Sequence, residues 1–197
     1  MDASAWDDRY AATELVWSAG PNQFVEKELA DQPPGRALDL ACGEGRNARW
    51  LAERGWEVTA MDFSSVAVEK GRSLVANVDW QVADARTAPL PQGLDLVLIA
   101  YLQIPPEERT PVMRRAFEAL RPGGRFLIVG HDSTNIAEGT GGPQDPDVLY
   151  TAQDVLIDLP AVELQVVRAG RVARLVASPD DESSARAWDA LVHVIRS

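Results

Sequence analysis

The chain has 197 residues, of which 46% are hydrophobic, as is typical of a single globular domain with its own core. Its 19 basic and 30 acidic residues give a formal net charge of −11, which disfavours a nucleic-acid partner. The single cysteine, Cys42, excludes an internal disulfide, and the N-terminus lacks the features of a secretory signal. The longest apolar stretch, Leu96 to Leu102, is far shorter than the ~20 residues of a membrane-spanning helix. We therefore expect a cytoplasmic protein without a membrane partner, in an oligomeric state that the sequence leaves open.

Apolar strand-like segments alternate with amphipathic helical segments through most of the chain, which is the pattern of parallel β–α–β units. Leu94–Ala100 is an almost continuous apolar run, as expected of a strand that is buried on both faces. Ser64 can cap the helix that follows the second strand. The predicted strands are Ala37–Ala41, Glu57–Asp62, Val78–Ala83, Leu94–Ala100 and Arg125–Gly130, and the clearest predicted helices are Arg46–Arg54, Glu107–Leu120 and Thr151–Leu159.

The last third of the chain has a different pattern. Glycines and prolines are frequent within residues 133–148 and predict a long loop, which inside a compact domain is more often functional than idle. Glu163–Arg168 and Trp188–Ile195 resemble two closing strands, with a separate extended segment at Arg171–Val176. We predict an α/β fold: one doubly wound, Rossmann-like domain with a mostly parallel seven-stranded sheet, an antiparallel edge hairpin and helices on both faces. Its regions are an N-terminal lid segment (1–30), a cofactor-binding core (36–132), a substrate-side loop (133–150) and a C-terminal helix with closing strands (151–197).

A glycine-rich turn at Leu38–Gly45 (LDLACGEG) follows the first strand and leads into a helix. Glycines let the backbone approach a ligand closely, and ligands of open α/β sheets bind beyond the carboxyl ends of the strands. Gly43 and Gly45 satisfy a relaxed dinucleotide pattern, with Asp62 at the end of the second strand, so a nicotinamide cofactor is one interpretation. Asp39 favours another, because a carboxylate there would repel a pyrophosphate but could bind the amino group of S-adenosylmethionine.

Four motifs in this order resemble those of the class I S-adenosylmethionine-dependent methyltransferases. Leu38–Gly45 resembles the nucleotide-binding first motif, with Ala41 in place of its first glycine. The match depends on the order and spacing of all four motifs, since any one alone is weak. The other three are Val58–Ser64 (VTAMDFS), similar to the acidic second motif, Val82–Ala85 (VADA), similar to the adenine-contact motif, and Leu120–Val129 (LRPGGRFLIV), similar to the fifth-strand motif.

This resemblance implies that S-adenosylmethionine is the cofactor and that the residues after the strands bind it. A carboxylate suits the two ribose hydroxyls, because its two oxygens can accept both hydrogen bonds. The implied positions are Asp39, Ala41, Gly43 and Gly45 at the methionine end, Asp62 on the ribose, Phe63, Asp84 and Ala85 at the adenine, and Arg46, Asn47, Ser64 and Ala100 beside the cofactor.

A narrower resemblance is to the tellurite-resistance and thiopurine-type branch of these enzymes. It rests on Gly45-Arg46-Asn47 with Trp50-Leu51 and Gly55, and on the N-terminal stretch Trp6 to Asn22. In that branch the N-terminal segment is similar to a lid over cofactor and substrate, and a segment that merely wraps the domain is the alternative. The candidate substrate contacts in the lid are Arg9, Tyr10 and Trp17.

Two residues are candidates for catalysis: Tyr101, just past the fourth strand, and His131, at the end of the fifth. Methyl transfer from a sulfonium is an in-line displacement, so positioning supplies much of the rate, and aromatic faces suit the positive sulfur. His131 is the conspicuous candidate base, and a histidine hydrogen-bonded to the following loop is the alternative. The sequence offers no set of three or four metal ligands, so we expect no metal.

The sequence thus favours an S-adenosylmethionine-dependent methyltransferase that acts on a small molecule. An NAD(P)-dependent oxidoreductase of Rossmann type and a cofactor-binding protein without catalysis are the two alternatives, and both stay open on sequence grounds.

Overall fold

A computed structural model of the chain describes residues 3–13, 20–160, 164–176 and 185–197. The strands are β1 (Arg36–Leu40), β2 (Glu57–Asp62), β3 (Asp79–Val82), β4 (Leu94–Ala100), β5 (Leu120–His131), β6 (Leu164–Val176) and β7 (Ala185–Arg196). The helices are α1 (Ala3–Ala11), α2 (Gln23–Leu29), α3 (Arg46–Glu53), α4 (Ser65–Leu74), α5 (Pro106–Glu118), α6 (Asn135–Glu138) and α7 (Ala152–Asp158), with a 3₁₀ turn at Pro146–Val148.

One sheet contains the seven strands of the described residues, in the order β3-β2-β1-β4-β5-β7-β6. The first five pair in parallel, whereas β7 runs antiparallel to both β5 and β6. The predicted doubly wound sheet with an antiparallel edge pair is therefore confirmed.

Helices cover both faces of the sheet because the buried strands present apolar side chains on each side. In β4, Leu96 and Leu98 join the cluster formed with α2, α3 and α4, whereas Val97 and Ile99 join the cluster formed with α5 and α7. This alternation is the period-two geometry of a strand. It explains why the predicted strand at Leu94–Ala100 is apolar along its whole length.

The central elements begin and end close to the predicted positions. The bounds of β2 and β4 are the predicted ones, and Ser64 caps α4 by accepting a hydrogen bond from the Ala67 amide. β5 is longer than expected: it starts at Leu120 instead of Arg125, because Leu120 pairs with Leu94 before a register shift in the ladder.

Two predictions for the last third of the chain were wrong in detail. The strand predicted at Glu163–Arg168, of which Glu163 lies outside the described residues, and the extended segment at Arg171–Val176 correspond to one strand, β6 (Leu164–Val176). Pairing with β7 continues through a register shift between Val166 and Arg168. The predicted loop at 133–148 is not wholly irregular, since it contains α6 and the 3₁₀ turn. Within the described ranges, no helix is both long and apolar enough to cross a bilayer.

The glycine-rich turn packs against a tryptophan. Gly45 has a φ of +74°, and a Cβ added there would lie 2.1 Å from the ring of Trp80, which also covers Gly71. Trp80 is 8% exposed, so its ring has little room to yield. The turn thus needs glycine at this position for its backbone conformation and for its packing.

Gly45→Ala should therefore lower the free energy of unfolding by about 2–5 kcal/mol, through left-handed strain and overpacking together. Gly141→Ala is the matched control, because Gly141 has a φ of +68° but nothing within 4 Å of an added Cβ. The free energy of unfolding of Gly141→Ala should fall by only about 1–2 kcal/mol. Urea denaturation of both variants measures the difference, and equal losses would contradict the role given to Trp80.

Candidate active site

The candidate site lies beside the carboxyl ends of the parallel strands. After β1 the backbone turns through left-handed conformations at Ala41 (φ +59°), Gly43 (φ +56°) and Gly45 (φ +74°). The geometry at Ala41 is one that favours glycine, which fits the glycine expected there from the motif. An alanine in this conformation costs roughly 1–2 kcal/mol, so the turn stores strain beside the site.

Asp39 is the most unusual group at this site. Its side chain is fully buried, and neither carboxylate oxygen has a hydrogen-bond partner among the described residues. Burial, and then the charge of Asp62, raise the pKa of Asp39 to about 7, whereas the Ala48 amide and the Arg46 guanidinium, which lie near the carboxylate but outside normal hydrogen-bond geometry, oppose the shift. A buried, unsatisfied carboxylate is costly, and a cationic or hydrogen-bond-donating ligand group would offset that cost.

Asp62 holds the turn against the start of α4. Its Oδ2 accepts a hydrogen bond from the Gly43 amide at 2.8 Å, and its Oδ1 accepts one from the Ser64 amide at 2.9 Å. Burial raises the pKa of Asp62, and these two amides act in the opposite direction. An ionised carboxylate has further lone pairs on both oxygens, so Asp62 can still accept hydrogen bonds from two ligand hydroxyls.

The residues predicted to contact adenine follow β2 and β3. Phe63 is half-buried and Ala85 is buried beside the α5 face of the sheet. The carboxylate of Asp84 accepts three hydrogen bonds from the Arg86 side chain, which lower the pKa of Asp84, and Arg86 also contacts Glu108 at 3.2 Å. Asp84 therefore keeps its charge, and its role at the adenine stays a prediction.

Tyr101 stands just after Ala100, the last residue of β4, with a φ of +65°. Its Oη donates a hydrogen bond to Oδ2 of Asp189 at 2.9 Å and accepts one from the Asn22 side chain at 3.2 Å. Burial, and then the charge of Asp189, raise the pKa of Tyr101. The phenol therefore holds its proton, and the ring of His131 packs against it with 4.8 Å between ring centroids.

Asp189 is a site residue that the sequence analysis missed. It lies on β7 as the register partner of His131, is fully buried, and accepts a hydrogen bond from Nε of Arg174 at 2.9 Å. Burial alone would raise the pKa of Asp189, but His131, Arg174 and Tyr101 together lower it below its usual value. The available signal was an aspartate near the start of the predicted strand Trp188–Ile195, whose other residues except His193 are apolar.

Residues at the starts of α2 and α3 close the site from one side. The Asn22 amide donates to Oδ1 of Asn47 at 2.9 Å, which ties the segment before α2 to the first turn of α3. Arg46 lies close enough to Asp39 and Tyr101 to interact with both electrostatically. Arg46 and Asn47 are thus beside the turn, and their contact with the cofactor stays a prediction.

The N-terminal helix is attached to the rim of the site. Asp7 accepts hydrogen bonds from the Ser64 hydroxyl at 2.5 Å and from the Val66 amide at 3.2 Å. Lys70 donates to the Tyr10 carbonyl at 2.5 Å and pairs with Glu44 of the turn at 3.4 Å. Of the candidate lid residues, Tyr10 is buried, the exposed Arg9 stacks on Trp6, and Trp17 lies outside the described residues.

A metal site is not part of this arrangement. In the portion of the chain that the structure describes, no three His, Cys, Asp or Glu side chains come together as ligands. His193, the second histidine, lies away from this site, with Nδ1 at 3.0 Å from Oε2 of Glu28.

The charge of Asp39 should make the stability of the ligand-free protein depend on pH. The pKa of Asp39 is raised on folding, so between about pH 4 and 7 the folded state holds a proton on Asp39 that the unfolded state has lost. The free energy of unfolding therefore falls as the pH rises through this range. The free energy of unfolding of Asp39→Asn, taken relative to that of wild type, should therefore rise by about 2–3 kcal/mol from about pH 5 to about pH 8.

Urea denaturation at both pH values measures this change. Asp79→Asn, which removes an exposed carboxylate at the start of β3, is the matched control and should follow wild type. A pH profile of Asp39→Asn that parallels wild type would show that Asp39 is not a strained buried acid.

Comparison with known proteins agrees with this geometry. A family model described as a methyltransferase domain matches residues 37–124. The ubiquinone/menaquinone biosynthesis C-methyltransferase UbiE of Desulfotalea psychrophila is 32% identical over 131 residues, which are 61% of this chain and 53% of that protein. The chain spans about half the length of the curated relatives that it matches.

Solved structures share the fold over nearly the whole chain. TehB from Haemophilus influenzae has a TM-score of 0.77 at 16% identity and covers 98% of this chain and 67% of its own. The N-methyltransferase NodS from Bradyrhizobium japonicum was solved with S-adenosyl-l-homocysteine. It has a TM-score of 0.74 at 16% identity, and the match covers 98% of this chain and 97% of NodS. The matched domain includes the strained turn, Asp39 and Asp62. Residues 37–124 thus match a methyltransferase domain, and the fold of the chain is the one seen in TehB and NodS.

Proposed function

We propose that this protein transfers a methyl group from S-adenosylmethionine to a small molecule. The observation that carries the proposal is Asp39: a fully buried carboxylate whose two oxygens lack hydrogen bonds of normal geometry among the described residues, at the turn that the motif resemblance assigns to the cofactor. The amino group at the methionine end of S-adenosylmethionine is the kind of donor that this carboxylate lacks. A pyrophosphate would meet repulsion there, which disfavours the oxidoreductase alternative.

The residues of the site fit the cofactor in its expected orientation. Asp39, Ala41, Gly43 and Gly45 would hold the methionine end, and Asp62 has lone pairs left for the ribose hydroxyls. Phe63, Asp84 and Ala85 would hold the adenine, with Arg46, Asn47, Ser64 and Ala100 flanking it. Bound there, the cofactor supplies an electrophilic methyl group on a positively charged sulfur.

The protein would promote the reaction by positioning the methyl acceptor and by excluding water from the site. In well-ordered systems, holding the methyl acceptor in line with the methyl group lowers the activation free energy by up to about 7–11 kcal/mol. Tyr101, with its ring against His131, forms the wall next to the cofactor end of β4. The N-terminal helix, attached through Asp7 and Lys70, would act as the lid that excludes water.

A small acceptor fits the surroundings better than a macromolecule. The net charge of −11 disfavours nucleic acid, and the N-terminal helix and Gly142 of the loop at 133–150 lie beside the site. The relatives differ in chemistry: UbiE is named as a C-methyltransferase and NodS as an N-methyltransferase. The tellurite-resistance and thiopurine-type branch stays a prediction, since structural similarity at 16% identity shows the fold alone.

Calorimetric titration with S-adenosylhomocysteine tests the proposal. We expect binding by the wild-type chain, and Asp62→Ala should weaken it by more than ten-fold because the ribose contact and the anchor of the turn are both lost. Asp79→Ala, an exposed carboxylate on the neighbouring strand, should bind like wild type. Binding of NAD(P) in place of S-adenosylhomocysteine would overturn the proposal, and binding without transfer to any thiol, phenol or amine would favour the non-catalytic alternative.

A further inference from the structure

We propose that Asp189 positions His131 as the general base of the reaction, and that the methyl acceptor is therefore an O–H or N–H group that must lose its proton. The inference rests on the methyl transfer proposed above. It concerns the side of the site that faces the acceptor.

The sheet places the two residues side by side on the Tyr101 face. His131 on β5 and Asp189 on β7 are register partners. Along β5, Leu127 and Val129 alternate with His131 and belong to the cluster against which Tyr101 packs. The imidazole and the carboxylate thus lie on the same face of the sheet as the aromatic wall of the site.

The two oxygens of Asp189 have different partners. Oδ2 accepts hydrogen bonds from Tyr101 and from Arg174, each at 2.9 Å. Oδ1 is enclosed, has no hydrogen bond among the described residues, and lies 3.5 Å from Nδ1 of His131, which is also enclosed and unpartnered. A small shift would join the two in an N–H···O bond and remove two unsatisfied buried atoms at once.

This pairing determines which nitrogen of His131 is free. An ionised carboxylate only accepts hydrogen bonds, so Nδ1 must carry the proton, and the neutral ring then has a bare Nε2. Nε2 is not among the enclosed unpartnered atoms of the described residues, and the side chain of His131 keeps 14% of its surface exposed. The free nitrogen is thus the one left for an acceptor.

The ring is held on its other sides as well. A Cβ added to Gly142, which has a φ of +78°, would lie 2.9 Å from Nδ1 of His131, so the loop backbone packs directly on the imidazole. The His131 amide donates to the Gln103 side chain at 2.7 Å. Gly142 and Tyr101 thus pack on the ring, and Gln103 holds the backbone that carries it.

The other ionisable groups around the ring do not compete for the role of base. Tyr101 has a raised pKa and donates its proton to Asp189, so it orients the carboxylate. Arg174 is bonded to the same oxygen and keeps Asp189 ionised. Oδ1 of the neighbouring Asp132 accepts hydrogen bonds from the amide and hydroxyl of Thr134 instead.

The chemical step balances with these groups. The acceptor oxygen or nitrogen forms a bond to the methyl carbon while the carbon–sulfur bond breaks and its electron pair stays on sulfur. Nε2 of His131 takes the acceptor proton, and Asp189 offsets the charge of the imidazolium until that proton passes to solvent. A thiolate or selenolate needs no base, so a built base indicates an oxygen or nitrogen acceptor.

The tautomer of His131 tests the proposal without any substrate. The chain has only two histidines, and His131→Gln identifies the signals of His131 in ¹⁵N-detected imidazole spectra. In the spectrum of the neutral imidazole, recorded at alkaline pH, we expect protonated Nδ1 and bare Nε2 in the wild-type protein. A wild-type spectrum that shows protonated Nε2 would overturn the proposal, whether or not any variant folds.

Asp189→Asn gives the matched perturbation. Its amide oxygen would turn toward Tyr101 and Arg174, so its NH₂ would face Nδ1 and reverse the tautomer, the logic by which an Asp→Asn change disables a serine-protease triad. Asp132→Asn makes the same chemical change one residue from His131 and should leave the spectrum as in wild type. An Asp189→Asn spectrum identical to wild type would contradict the positioning role.

Transfer to phenol and to thiophenol tests the acceptor class, because the two differ little in shape and much in acidity. Phenol should be methylated by the wild-type enzyme and lose about 10²–10⁴-fold in rate in Asp189→Asn, whereas any transfer to thiophenol should change only a few-fold. Transfer to thiophenol alone, or to neither, counts against the acceptor class. S-adenosylhomocysteine affinity, measured on the same samples, separates this failure from failure of the proposed function, since Asp189→Asn should leave it unchanged.

Discussion

The candidate site depends on a carboxylate that the fold encloses and does not satisfy. The other buried acids have partners in the chain: Asp158 accepts hydrogen bonds from Arg109 and Thr110, and Asp189 accepts them from Tyr101 and Arg174. Neither oxygen of Asp39 has a hydrogen bond of normal geometry within the described residues, although the Ala48 amide is near enough to lower its pKa. The alternation of β1 directs it inward, so the protein carries a local cost in stability at the position where a ligand would relieve it.

The two halves of the sheet supply different parts of the site. The parallel strands β1 and β2 end in the turn and the carboxylates that fit a cofactor, whereas the antiparallel strand β7 brings Asp189 beside His131 on the acceptor side. Tyr101 at the end of β4 is shared by both halves, because it contacts Asn22 near the cofactor turn and Asp189 across from it. Such a division allows the acceptor side to change while the cofactor side is kept.

Local signals predicted the parallel half well. Asp39, Asp62 and the glycines lie within short motifs next to strands whose apolar runs are unmistakable, and the bounds of β2 and β4 follow from those runs. The acceptor side could not be predicted in the same way, because its pairs are distant in sequence: Tyr101 and Asp189 are 88 residues apart, and Asn22 and Tyr101 are 79 apart. Only the register of β7 on β5 brings them together, and a single sequence does not state that register.

The position of β7 has a consequence for folding. It follows β6 in the chain yet lies between β5 and β6, so the edge of β5 has no partner until β7 inserts. During that interval the chain exposes an unpaired backbone edge together with apolar residues such as Val129, a combination that promotes aggregation of partly folded chains. Contacts between strands so distant in sequence also form slowly. The acceptor side of the site, built on Asp189, is thus complete only when β7 has paired with β5.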